Sequence, residues 1–215
     1  MKRLTFITGH YGSGKSEFAV NLAIKKNIKY IVDLDIVNPY FRSRELTDKL
    51  KENDISLISS SIGASLGSDL PYIAKEAYSF LRGKDKVIYD LGGDPVGAVI
   101  LRQFLDQLDL NEVDLLLCIN VYREQTSTKQ KIISMIKEIE NSGGLKITGL
   151  INNSNFLRET KCSDIKDAEK IISEVSKELK LDVIYTGVYE KIANSCDQLL
   201  GEIISLKLYL RKEWL

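Results

Sequence analysis

Eight residues near the start of the chain, Gly9 to Ser16, read GHYGSGKS and match the phosphate-loop pattern G-x-x-x-x-G-K-[ST]. The pattern constrains the fold because its chemistry works only between a strand and a helix. Here the apolar, β-branched run from Arg3 to Thr8 precedes it, and apolar residues at helical spacing from Glu17 to Ile24 follow it. Gly9, Gly12 and Gly14 allow positive φ and a close backbone approach to a ligand. The loop amides, those of Tyr11, Ser13 and Glu17 included, are candidate phosphate donors lining an anion nest. The following helix adds unpaired N–H groups and the positive end of its dipole. A dipole contact alone contributes only about 0.3–1 kcal/mol, so a fixed cation is also needed. Lys15 supplies it for the β- and γ-phosphates and is a candidate catalytic residue, while Ser16 offers its hydroxyl to Mg²⁺.

The rest of the chain alternates strand and helix signals. Strands are expected over 29–35, 55–58, 86–90, 114–121, 146–151 and 182–186. Tyr40 to Leu46 leads into a polar helix ending near Glu52 to Asp54, and helices are expected over 70–81, 96–107, 126–142, 164–179 and 190–203. Between them, Ser59 to Ser68 reads as a long small-residue loop. This alternation predicts an α/β fold in three layers, a mostly parallel sheet with helices on both faces, as one domain over 1–215. Ligands then sit at the C-terminal ends of the strands. GHYGSGKS, DLD, DLGG and INN all lie at such ends.

Asp90 closes the apolar run VIYDLGG, the position where a carboxylate holds Mg²⁺ in phosphate-loop proteins. Gly92, just after it, leaves room for a γ-phosphate. Asp33 and Asp35 flank Leu34 and point to one face of a regular strand. Asp35, at the strand end, is the candidate to orient or activate water; Asp33 is a candidate metal contact or an organiser of the turn. Arg42, Arg44 and Arg123 are cations near strand or loop ends, and Cys118 reads as a core thiol.

Lys and Arg number 30 and Asp and Glu number 30, so the balanced charge argues against a strongly basic nucleic-acid binder. Three scattered cysteines and the single His10 argue against a zinc or iron–sulfur centre and predict free thiols in a reducing cytoplasm. The N-terminal apolar run is too short for a signal peptide, and no stretch approaches the roughly 20 apolar residues of a membrane span. Leu206, Leu208 and Leu210 alternate with Lys207, Tyr209 and Arg211. A period of two predicts an extended or strand-like tail packed on the body rather than a membrane-binding amphipathic helix.

Taken together, these motifs resemble those of the MinD/ParA-type phosphate-loop ATPases of the SIMIBI class, from Thr5 to about Tyr189. IVDLD is similar to the segment whose second aspartate that family uses in hydrolysis, here Asp35, and VIYDLGG is similar to its Walker B strand. GLIN is similar to its late strand ending in an adenine-reading asparagine, here Asn152. The resemblance implies ATP with Mg²⁺, a nucleotide-dependent homodimer and a protein partner. One position departs from it. The family's loop carries a lysine that reaches the neighbouring subunit, and this chain has His10 there, followed by Tyr11 where the family has glycine. An imidazole is shorter and lacks the permanent charge.

Three functions are therefore in play. A regulatory or assembly ATPase would switch the segment DLDIVNPYFRSRE and the 59–68 loop. A small-molecule kinase would use the same loop with Arg42 and Arg44. A binding module would hold nucleotide with little turnover.

Overall fold

The computed structural model describes residues 1–35, 44–59, 75–93 and 95–210. Among them the strands are β1 (Leu4–Thr8), β2 (Tyr30–Leu34), β3 (Ser56–Ser59), β4 (Val87–Leu91), β5 (Val113–Ile119), β6 (Gly149–Asn152), β7 (Val183–Tyr189) and β8 (Glu202–Leu206). They form one eight-stranded sheet in the order β3-β2-β4-β1-β5-β6-β7-β8, with every neighbouring pair parallel. The helices are α1 (Lys15–Lys26), α2 (Arg44–Glu52), α3 (Lys75–Ser79), α4 (Pro95–Val99), α5 (Lys129–Gly143) and α6 (Cys162–Leu179).

Strand alternation sends successive side chains into two separate cores, one on each face. Leu4 and Phe6 of β1 join Tyr89 of β4 and Phe104 in one core, where the Phe6 and Tyr89 rings stack at 4.4 Å and α5 and α6 cover them. Ile7 joins Ile31, Ile88 and Phe18 in the other, under α1 and α2. Burial on both faces is why β4 and β5 read as continuous apolar runs rather than as alternating strands. Parallel pairing brings the strand ends to a common edge. Asp33 lies opposite Asp90 across β2 and β4, and Ile119 lies opposite Asn152 across β5 and β6.

Three expectations need correction. Residues 190–203 are not a helix: Ala193–Ser195 makes one 3-10 turn, and Glu202 begins β8. Their apolar residues do recur at helical spacing. They pack instead along an irregular path, where the half-buried Ile192, Leu199 and Ile203 lie against Ile165, Val188 and Cys196. Gln198 and Gly201, at φ 55° and 68°, break the chain direction. The expected helix over 96–107 is a short α4 followed by 3-10 turns at Ile100–Gln103 and Leu105–Gln107. Cys162 and Cys196 are not free thiols. They form a disulfide with Cα atoms 5.4 Å apart, because the start of α6 packs on the β7–β8 connection. The thiol-based argument for a reducing compartment therefore does not hold for this pair. The tail from 206 is extended and packed on the body, as expected: it begins as the end of an edge strand, β8, paired to β7 along Tyr185–Tyr189. Of the expected helix over 70–81, Lys75–Ser79 is helical and 70–74 lies outside the described residues. No helix among the described residues is long and apolar enough to cross a membrane.

Candidate functional site

The loop between β1 and α1 takes the conformation its glycines allow. Gly9, Gly12 and Gly14 have φ of 151°, 77° and 81°. Gly14 is the N-cap of α1 and has a second reason to lack a side chain, since a Cβ there would come within 2.5 Å of Asn153 Nδ2. The Ser13 N–H donates to the His10 carbonyl at 3.0 Å and closes the turn. Neighbouring strand ends hold the loop carbonyls. Arg123 Nε donates to the Gly12 carbonyl at 3.1 Å, and Asn153 Nδ2 donates to the Ser13 carbonyl at 2.7 Å. The Cys118 thiol reaches the same Ser13 carbonyl at 3.6 Å. Burial pushes that thiol up to about 12, so it is an inert core group, as expected. Backbone of this shape forms an anion-binding concavity.

Behind the loop lies a buried charge cluster. Lys15 Nζ pairs with Asp35 Oδ2 at 2.9 Å, with both side chains at most 5% exposed. The Ser16 hydroxyl donates to Asp90 Oδ2 at 2.5 Å. Burial works against the Lys15 charge, but Asp90 and Asp35 outweigh it and hold the ammonium above its ordinary range. Burial raises Asp90 to about 6, against the pull of Lys15 and the Ser16 hydroxyl and with a further push from Asp35. Asp90 is fully buried, and its Oδ1 meets no hydrogen-bond partner among the described residues. A buried carboxylate with an unclaimed oxygen beside a serine hydroxyl is a hard-oxygen donor set that suits Mg²⁺. The Asp33 Oδ1 accepts the Asp35 N–H at 3.0 Å and shapes the end of β2. Gly92 is buried beside this group, where a Cβ would lie 3.7 Å from Asp35 Oδ1. A Cβ on Gly93 would collide with the Gly9 carbonyl, so the β4 end and the loop touch through backbone.

A cleft runs from the loop across the C-terminal ends of the later strands. Gly12, Gly14, Lys15, Ser16 and Glu17 form its loop side, and Arg123, Asn153 and Asn155 add polar groups. Its far wall is apolar: Leu157, Tyr189, Leu206, Leu208 and Leu210. Asn152, singled out from the sequence, is not on this wall. It is fully buried, and its Oδ1 accepts the Ser154 N–H at 3.1 Å. Asn153, the first residue past β6, reaches the loop instead. The first residue past β2, Asp35, reaches Lys15 in the same way, a parallel that appears only once the strand ends at Leu34 and Asn152 are seen. The Glu17 side chain also has an unexpected place. It accepts the N–H groups of Tyr209 and Leu210 at 2.6 and 3.0 Å. His10 Nδ1 lies 2.9 Å from the Tyr11 carbonyl, to which it can only donate, and the Tyr11 side chain is 56% exposed. Arg42 and the side chain of Arg44 lie outside the described residues, as does the loop from 60 to 68.

No protein-family model matches the chain, and no curated protein sequence is similar to it. Solved structures are similar in shape. The signal recognition particle receptor FtsY from Elizabethkingia anophelis matches with a TM-score of 0.58 at 18% identity, over 98% of this chain and 63% of that one. The same receptor in complex with GDP matches with a TM-score of 0.57 at 18% identity, over 94% and 61%. FtsY from Thermotoga maritima gives 0.54 at 19% identity, over 87% and 62%. The chain thus spans under two thirds of the length of each, and at these identities the likeness is one of fold. These are not MinD/ParA-type proteins, so the closer resemblance drawn from the motifs finds no support among them. The fold itself is shown: an all-parallel α/β sheet flanked by helices, of the phosphate-loop NTPase kind.

Proposed function

We propose that the chain binds Mg²⁺–ATP on the loop from Gly9 to Ser16 and hydrolyses it as a regulatory or assembly ATPase related to the MinD/ParA type. The observation that carries this reading is the buried pairing of Lys15 with Asp35 and of Ser16 with Asp90 directly behind the loop. Phosphate binding exchanges the Lys15–Asp35 pair for contacts between Lys15 and the phosphates. That exchange releases the Asp35 carboxylate to orient water. Ser16 and Asp90 would hold Mg²⁺, which supplies neutralising charge to the phosphates. Asp33 acts through the Asp35 amide. Arg123 and Asn153 keep the loop shaped for the ligand rather than contacting the phosphoryl group in transfer.

The described cleft residues offer guanine no carboxylate that is not already engaged. Guanine offers adjacent N1 and N2 donors that suit a carboxylate. Glu17 is the carboxylate among the described lining residues, and its oxygens accept from Tyr209 and Leu210. The asparagine amides are engaged as well, Asn153 Nδ2 on the Ser13 carbonyl, Asn155 Nδ2 on the Asn153 carbonyl and Asn155 Oδ1 on the Leu157 N–H, so adenine is taken from the likeness of the motifs to those of MinD/ParA-type ATPases. The GDP complex of FtsY makes GTP the competitor to test. Calorimetric titration with ATP and with GTP in Mg²⁺, together with phosphate release, tests the reading. ATP binds the wild type, and Lys15→Ala weakens it about 100-fold or more, as loss of a buried cation on phosphate requires. Absence of ATP binding, or equal binding by Lys15→Ala, refutes the reading; tighter GTP binding overturns the base assignment alone.

A further inference from the structure

The segment following β8 runs back along α1 and becomes part of the cleft. Leu206, Leu208 and Leu210 share one side of this extended stretch and line the apolar wall. The backbone between them is tied to two side chains of α1. Asn21 Oδ1 accepts the Lys207 N–H at 2.9 Å, and Asn21 Nδ2 donates to the Lys207 carbonyl at 2.9 Å, so a single amide stands in for a neighbouring strand. One turn earlier, the Glu17 carboxylate accepts from Tyr209 and Leu210. Glu17 and Asn21 are four residues apart and therefore share one face of α1. The same helix begins with Lys15 and Ser16. One rigid element thus carries both the phosphate contacts and the anchors of the apolar wall.

We propose that residues 207–210 are a nucleoside-binding strap. Leu208 and Leu210 form the apolar contact for the base and ribose of a nucleoside triphosphate whose phosphates sit on the loop. Docking of the strap through Glu17 and Asn21 is coupled to nucleotide occupancy. This inference rests on the nucleotide-binding reading above, and it adds the part of the chain that recognises the nucleoside rather than the phosphates. Coupling of this kind is reciprocal: the ligand secures the strap as much as the strap secures the ligand.

The test uses the double variant Leu208→Ala/Leu210→Ala, which keeps every backbone bond to Glu17 and Asn21, and a chain ended after Leu206. Each is titrated with ATP and with inorganic tripolyphosphate, which has the phosphates but no nucleoside. The expected result is ATP affinity lowered about tenfold or more in both variants, with tripolyphosphate affinity unchanged. In the wild type, ATP slows hydrogen exchange of the Tyr209 and Leu210 amides. Unchanged ATP affinity in the double variant overturns the inference, and so does an equal loss for ATP and tripolyphosphate. Failure of the wild type to bind either ligand is a different result and refutes the nucleotide-binding reading itself.

Discussion

Asp90→Asn should stabilise the ligand-free protein while disabling its metal site. The Asp90 carboxyl is fully buried, and its value is raised from 3.8 to about 6. A shift of about two units corresponds to about 3 kcal/mol at roughly 1.4 kcal/mol per unit, the cost of holding the charged form in the fold at neutral pH. Asparagine removes that charge but places an NH₂ where Asp90 Oδ1 has no partner among the described residues, which takes back about 1–2 kcal/mol. The net gain is about 1–2 kcal/mol. For a chain of this size that raises the thermal midpoint by about 3–6 °C.

The pH dependence identifies the cause. Because the folded value lies above the unfolded one, the contribution of the wild-type carboxyl is fully present below about pH 4 and is lost as pH rises through about 6. The advantage of the variant should therefore be largest near pH 8 and shrink by about 2 kcal/mol towards pH 4.5. Thermal unfolding of both proteins across this range measures it, and Mg²⁺-dependent stabilisation by nucleotide should be absent from the variant. A variant less stable than the wild type at pH 8, or a difference that does not change with pH, refutes the assignment of this strain to Asp90.

Asp35→Asn should leave ATP affinity equal or tighter, because Lys15 loses the carboxylate it must leave, while phosphate release falls about 100-fold or more; a proportionate loss of binding would show that Asp35 is structural. Asn153→Ala frees the Ser13 carbonyl and should cost about 1–3 kcal/mol in thermal unfolding together with weaker nucleotide binding; unchanged titrations would remove Asn153 from the loop's support. Replacing Cys162 and Cys196 by serine opens a link across 34 residues, an entropic loss of about 4 kcal/mol. The wild type in dithiothreitol should lose the same amount and the variant nothing.

The phosphate loop, the carboxylates of β2 and β4 and the all-parallel architecture were legible because each is local. A glycine loop between an apolar strand and a helix needs no distant partner to be recognised. Doubly buried strands likewise announce themselves as apolar runs, as β5 does over Val113–Ile119. The region after Tyr189 was less legible. Ile192, Cys196, Leu199 and Ile203 recur at helical spacing, yet their burial is decided by α6 and β7. The choice between Asn152 and Asn153 was equally out of reach of motif spacing, since β6 ends between them and only the first residue past the strand can turn towards Ser13.

The sequence by itself therefore determined that this chain builds a phosphate-loop α/β sheet, with Lys15, Ser16, Asp35 and Asp90 at the C-terminal edge of its strands. The tertiary structure decided what surrounds that edge. It paired Cys162 with Cys196, set Arg123 and Asn153 against the loop carbonyls, and folded residues 207–210 back onto Glu17 and Asn21. The physical reason is separation along the chain. Glu17 and Tyr209 are 192 residues apart, and nothing in the local pattern of either one specifies the other until the sheet has brought α1 and β8 together.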